Sequence, residues 1–183
     1  MRPTPPAANA MKMETEVRPA MPGDTHAVSS ILFEAAAWLE QRGMGMWRSD
    51  ELVPEHIARQ VGEGLFVLAE CHGNPAGILR FQLSDPLFWP DQPESDAAYV
   101  HRLAVRRQYA GGDVSSTLLS WAVERTRALG RPFLRLDCEA SRPRLRAVYE
   151  RFGFQHHSDL QVGPYFVARY QLAICPLTPD PLY

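Results

Sequence analysis

The stretch YVHRLAVRRQYAGGDVSSTLL, residues 99–119, decides the fold. The apolar residues spaced through Tyr99 to Val105 predict a strand. Arg106 to Tyr109 form a short basic connection, followed by a turn of small residues, Ala110, Gly111, Gly112, Asp113, Val114 and Ser115. An amphipathic helix opens there, with Leu118, Leu119, Trp121, Ala122, Arg125 and Leu129 at helical spacings. A strand that runs through a glycine turn into a helix N-terminus is a phosphate-binding device. The turn admits a diphosphate to the backbone, and the first helical N–H groups have no partner within the helix. Asp113 has two readings. It caps the helix, a role for which aspartate is a preferred residue. Alternatively its charge faces the diphosphate, at a cost on the order of a kcal/mol or more. Arg106, Arg107 and Arg142 offer compensating positive charge.

Outward from this stretch the chain alternates short elements. Glu14 to Pro19 predicts a first strand. Asp24 or Thr25 opens a helix whose apolar face holds Val28, Ile31, Leu32, Ala35, Ala36 and Leu39. Gly43 and Gly45 end it, and Pro54 begins a second helix with Ile57 and Val61. Leu65 to Glu70 and Ala76 to Leu83 form a hairpin about the turn His72 to Pro75. A loop punctuated by Pro86, Phe88, Trp89 and Pro90 leads to the strand at Tyr99. After the signature helix come a strand at Phe133 to Cys138, a helix from Pro143 to Phe152, and closing strands at Phe154–His157 and Phe166–Ile174. The order β-α-α-β-β-β-α-β-α-β-β is that of an α/β (α+β) fold, one mixed sheet of about seven strands flanked by about four helices. Residues 1–13 read as a flexible segment, 14–174 as one domain, and 175–183 as a proline-rich tail.

Composition excludes several classes. The 183 residues carry a net charge of −2, against the basic surplus of nucleic-acid binders. No apolar run is long enough to span a membrane, and the first twelve residues lack a hydrophobic signal region. Three cysteines without metal spacing fit a reducing compartment, so a cytoplasmic protein with no metal is expected. His156, His157, Ser158 and Asp159 offer a serine-hydrolase set on paper but lack a nucleophile elbow. A nucleotide-binding reading fails, because no Lys-Ser/Thr follows the glycines and no ribose-binding acid stands at the required spacing.

Two regions, in the same order and at the same separation, resemble the GNAT superfamily of acyl-CoA-dependent N-acyltransferases. The first is Leu103-Ala104-Val105 followed by the turn from Ala110 to Ser115. The second is the strand at Phe133 to Cys138 with the helix end Tyr149-Glu150-Arg151-Phe152-Gly153-Phe154. The likeness spans roughly residues 14–174. It implies a central mixed sheet whose fourth and fifth strands splay, with acetyl-CoA as acyl donor lying in the gap. The donor would be held by Leu103, Ala104, Val105, Ala110, Gly111, Gly112, Asp113, Val114, Ser115, Ser116 and Arg142. The departures are Ala110, Asp113, Ser115 and Arg142, where the family usually has other residues.

The resemblance also implies catalytic roles. Tyr149 stands where the family's acid protonates the departing thiolate; read by itself it is a core tyrosine on an amphipathic helix. His101 lies on the strand lining the gap, and a histidine ordinarily titrates at ~6.5, which suits a base. Tyr99 shares its face by strand alternation and is the next candidate. Trp38, Trp47 and Trp89, with Phe88, Met44 and Met46, occupy segments that wall the acceptor in the family and suggest an apolar or aromatic pocket; ordinary packing is the other reading. Glu34, Asp50, Glu51, Asp85 and Asp91 could receive a cationic amine. The implied function is N-acetylation of a small-molecule amine, aromatic or apolar, by a protein that, like many of the family, could form a homodimer. The alternative is a GNAT-fold binding or sensing module whose diphosphate turn Asp113 has weakened.

Overall fold

A computed structural model describes residues 14–47 and 49–175. The expected flexible segment 1–13 and all of the tail beyond Cys175 lie outside the described residues. Within them, seven strands form one sheet and four helices flank it. The elements are β1 (Thr15–Pro19), α1 (Thr25–Glu40), α2 (Pro54–Gly62), β2 (Phe66–Cys71), β3 (Asn74–Gln82), β4 (Ala97–Val105), α3 (Val114–Ala128), β5 (Phe133–Glu139), α4 (Pro143–Phe152), β6 (Gln155–Val162) and β7 (Tyr165–Ala173). The strand order is β1-β2-β3-β4-β5-β7-β6. Every neighbouring pair is antiparallel except β4 and β5.

Helix boundaries follow local chemistry. α2 and α4 open on Pro54 and Pro143, whose fixed φ suits a first helical position and whose missing N–H costs nothing there. α4 stops at Gly153, which takes φ 118, a conformation that Cβ-bearing residues avoid. Asp24 precedes α1 but does not cap it. Its carboxylate takes Met21 N–H and Arg18 instead.

The sheet divides two apolar layers. On one side Val28, Ile31 and Leu32 of α1 and Ile57 and Val61 of α2 pack on Phe66, Leu68, Ile78 and Ala104. On the other, Val114, Leu118, Leu119 and Ala122 of α3 and Tyr149 of α4 pack on Val67, Leu79, Ala98, Val100, Leu134 and Leu136. α3 approaches the sheet closely at Gly77. A Cβ there would stand 2.7 Å from Val114 Cγ1 and 3.0 Å from the Ala104 carbonyl oxygen. Only a residue without a side chain lets the helix that follows the signature turn sit this low.

β4 carries a bulge. Its pairing with β3 slips between Ile78↔Ala104 and Arg80↔His101, and Arg102 takes φ 51. The extra residue shifts the alternation, so Leu103 and Val105 turn to the α3 layer while Ala97, Tyr99 and His101 stay on the opposite face.

Candidate active site

Pairing between β4 and β5 ends early. It runs from Ala97↔Phe133 to Val100↔Leu136, yet β4 continues to Val105 and β5 to Glu139. The parted ends open two clefts that share Leu103, Glu139, Leu145, Tyr149 and the loop Gly45–Trp47.

The first cleft, about 940 Å³, is lined by Leu103, Ala104 and Val105, the turn Ala110, Gly111 and Gly112, Ser115, and Arg142. This gathers most of the residues expected to hold an acyl donor. Gly111 takes φ 85, which the tight turn needs. The first-turn N–H groups of α3 follow, without intrahelical partners. Val114 is buried in the core, so it offers the turn only its backbone. Ser116 is exposed and outside the cleft lining, its hydroxyl donating to the Asp113 carbonyl.

Asp113 fits neither expectation. Its carboxylate makes no capping bond; Oδ1 accepts from Thr15 Oγ1 on β1 at 3.2 Å, away from the cleft. The feature that favoured a disabled diphosphate turn is therefore turned aside. Arg106 supplies no free charge either, because it pairs with Glu34 at 2.8 Å and donates to Ser30 and the Pro75 carbonyl. Glu34 also accepts from Arg107 N–H at 2.7 Å. It anchors the start of the turn to α1 and is not an amine receiver; these partners hold its carboxyl below the usual range against the opposing effect of burial. Arg142 lies at the N-terminus of α4 and donates to the Met44 and Gly45 carbonyls, strapping the α1–α2 loop across the cleft. Trp38 is sandwiched between the guanidiniums of Arg42 at 4.1 Å and Arg107 at 4.0 Å and lines this first cleft, not the acceptor side.

The second cleft, about 430 Å³, shares Tyr149 with the first. Here His101 sits between two carboxylates. Its Nε2 is 3.0 Å from Asp85 Oδ2 and its Nδ1 3.6 Å from Asp137 Oδ1. Asp85 arrives on a loop that folds into a turn: its Oδ1 accepts from Phe88 N–H and its carbonyl from Trp89 N–H. The loop is pinned by Arg169, which pairs with Asp91 and donates to the Phe88 carbonyl, holding the Asp91 carboxyl down at about 2. Asp91 is thus structural. Asp137 stands on β5. Burial pushes its carboxyl up to about 6, with Asp85 adding to the effect and His101 opposing it. One ligand-type atom from each of Asp85, His101 and Asp137 lies within 4.8 Å of the others. Each ring nitrogen has a carboxylate oxygen within ion-pair range, yet His101 Nε2, Asp85 Oδ2 and Asp137 Oδ1 are buried without a hydrogen-bond partner, so the contacts are electrostatic.

Tyr149 is buried at the junction of the clefts. Desolvation pushes its phenol well above the ordinary value, so it keeps its proton as a donor. Tyr99, by contrast, is core: it is 1% exposed, packs on Trp89 and Phe133, and reaches neither cleft. Trp89 is 1% exposed in that same cluster, flanked by Arg135, Arg169 and His157, and is no part of an acceptor wall. Of Trp38, Trp47 and Trp89, Trp47 alone reaches the second cleft, where Met46, Leu87 and Phe88 accompany it. The Glu51 carboxylate there accepts from Tyr165 O–H. The side chain of Asp50 lies outside the described residues. On β6, His156 bonds Asp159 and His157 bonds Ser158, so no Asp–His–Ser chain forms.

The Acetyltransferase (GNAT) family model matches residues 33–154. The chain belongs to the GNAT acetyltransferase family. It is accordingly an acyltransferase. It is 27% identical over 145 residues to the uncharacterized N-acetyltransferase YesJ of Bacillus subtilis, covering 75% of this chain and 79% of that one. A GNAT-family acetyltransferase structure from Listeria monocytogenes superposes with a TM-score of 0.75 at 28% identity, covering 90% of this chain and 98% of the other. The PaiA N-acetyltransferase of Thermoplasma acidophilum, solved in complex with coenzyme A, shares the fold with a TM-score of 0.69 at 16% identity, over 86% of this chain and 98% of that one.

Sequence reasoning missed Asp137, Arg80 and Arg102, all of which line the second cleft. Asp137 carried one usable signal, as the only acid among the apolar positions of Phe133 to Cys138. The two arginines carried none.

Proposed function

We propose that this GNAT enzyme moves an acetyl group from acetyl-CoA to the primary amine of a small molecule by direct transfer. The reading rests on one observation: a donor-sized cleft with a glycine turn and an acceptor cleft holding a base cluster meet at Tyr149. The coenzyme A in the PaiA relative supports the donor. An acceptor cleft of about 430 Å³ supports a small acceptor.

The residues divide the work. The turn Gly111–Gly112 and the first turn of α3 take the diphosphate. The β4 backbone beyond Val100, which has no strand partner on the β5 side, is free to bond an extended ligand arm as an added strand would. The Asp85–His101–Asp137 cluster accepts the proton of the incoming ammonium. Two carboxylates within ion-pair range of the ring balance the charge that the imidazole gains on taking that proton. Tyr149 gives its proton to the thiolate as it leaves. Cys138, the thiol in the acceptor cleft, is pushed up to about 12 by burial. It stays protonated and is no nucleophile, which favours transfer without an acyl-enzyme.

The test has two stages. Calorimetry with acetyl-CoA reads the donor site before any acceptor is known, and no binding at millimolar donor rejects the reading. With a panel of primary amines, CoA release is then followed against pH for wild type and His101→Gln. A lost or displaced acidic limb in kcat/KM, and a rate lower by about 10²-fold or more, is expected. A variant that keeps limb and rate removes His101 from the proton path.

A further inference from the structure

The acceptor cleft holds two arginines that the transfer chemistry leaves unexplained. Arg80, on β3, lines it and makes no hydrogen bond or ion pair among the described residues; its Nε is buried without a partner. Arg102, on β4, donates from Nη2 to the Glu51 carbonyl, and its Nη1 is buried and unpartnered. A guanidinium carries five N–H donors, and leaving them unmet away from water is costly.

The acids of the cleft do not fill this need. Asp85 and Asp137 face the two nitrogens of His101, and Glu51 takes the Tyr165 hydroxyl. Among the described residues no carboxylate lies within ion-pair distance of either arginine; desolvation lowers the pKa of both, against the weaker opposing fields of Asp85 and Glu63 at Arg80 and of Glu51 at Arg102. Neither arginine has a direct anionic partner among the described residues.

Placement of the pair is not incidental. Arg80 is the cross-strand partner of His101, so its Cβ stands about 5 Å from that of the base on the same face. Arg102 is the bulge residue. In regular alternation it would point to the face of Val100; at φ 51 it instead lines the same cleft as His101. An arginine held in the left-handed region is strained, and such strain collects at ligand sites. The bulge thus gives a second cation to the cleft that His101 lines.

We propose that the acceptor carries a carboxylate beside its amine, as a 2-amino acid does, and that Arg80 and Arg102 bind that carboxylate. The inference rests on the acceptor reading above. It narrows it from any small amine to a zwitterion, with the carboxylate at the arginines, the ammonium at Asp85, His101 and Asp137, and an apolar side chain against Met46, Trp47 and Phe88. Two guanidiniums with planar donors match a carboxylate in geometry as well as charge.

The experiment compares each primary-amine amino acid with the amine that lacks only its carboxylate, in wild type, Arg80→Gln, Arg80→Lys and Arg102→Gln. CoA release gives kcat/KM, and the ratio within each pair is the readout. In wild type the ratio should favour the amino acid by about ten- to hundredfold. Either glutamine variant should collapse it, and Arg80→Lys should restore part of it. Equal use of both members, preference for the decarboxylated amine, or an unchanged ratio in both glutamine variants overturns the proposal. A second arm needs no turnover: calorimetric binding of N-acetyl amino acids to the CoA complex. If no amine is acetylated, but these ligands bind wild type and not Arg80→Gln, the anion subsite stands and the transfer reading fails. If they do not bind wild type either, the subsite fails with it.

Discussion

Asp137→Asn should stabilise the protein and disable it, and the pH dependence of the first effect is its test. Asp137 is largely withdrawn from solvent at the wall of the second cleft, and burial pushes its carboxyl up to about 6 from the ordinary 3.8. The folded value lies above the unfolded one, so the native state holds a proton that the unfolded chain has lost between about pH 4 and 6. Wild-type stability therefore falls as pH rises through that window, and the cost is full above it. At 1.36 kcal/mol for each pKa step, the interval from 3.8 to about 6 corresponds to at most about 3 kcal/mol. Asparagine has the same shape and no charge to bury. Above pH 6 the variant should be the more stable by up to about 3 kcal/mol, which in a domain of this size raises Tm by roughly 6–12 °C. Below pH 4 the two proteins should melt together. Activity should move the other way, by about 10²-fold or more, because the cluster loses the carboxylate beside His101 Nδ1. Thermal melts from pH 3.5 to 8, beside CoA release at a fixed pH, give both curves. A Tm difference that does not vary with pH, or a less stable variant at pH 8, would refute the reasoning.

Other positions carry equally direct expectations. Gly77→Ala places a Cβ 2.7 Å from Val114 Cγ1, 3.0 Å from the Ala104 carbonyl oxygen and 3.2 Å from Leu118 Cδ1. It should cost about 1–3 kcal/mol and weaken acetyl-CoA binding by displacing the start of α3; an unchanged Tm counts against that packing. Tyr149→Phe should lower kcat while leaving CoA affinity nearly intact, since the hydroxyl acts as the thiolate departs, and a wild-type kcat with a real acceptor removes the acid role. Asp113→Asn should change CoA affinity by less than about twofold, because the carboxylate bonds Thr15. A tenfold gain would mean that the charge faces the diphosphate after all.

What the sequence disclosed follows from the range over which its signals act. The donor site is local. A strand, a glycine turn and a helix start lie within twenty residues, and the chemistry that makes them is written at those positions. Gly111 at φ 85 and Pro143 opening α4 stand where the residue types require. The aromatic loop was misleading for a local reason as well. Trp89 reads as a loop aromatic free to meet ligand, but Arg135 and Arg169 lie over its ring and draw it into the core.

The acceptor site is a product of register. Tyr99 pairs with Arg135 and Val100 with Leu136; one further step sets His101 opposite Asp137, at the point where the strands part and a cleft begins. The hairpin register that sets Arg80 beside His101 comes from the other edge of β4, and Asp85 comes from the loop that leaves β3. None of these residues is distinguished by its own spacing. The bulge carries no mark either, since the residue at φ 51 is an arginine where a glycine would have signalled it. Without that bulge the alternation of β4 would send Arg102 to the α3 layer and Leu103 to the face of His101, leaving the cleft one cation short. On the proposal that Arg80 and Arg102 bind the acceptor's carboxylate, acceptor choice depends on a one-residue slip in β4. A deletion that restores regular pairing would keep the sheet and the donor turn while removing the geometry that selects the acceptor.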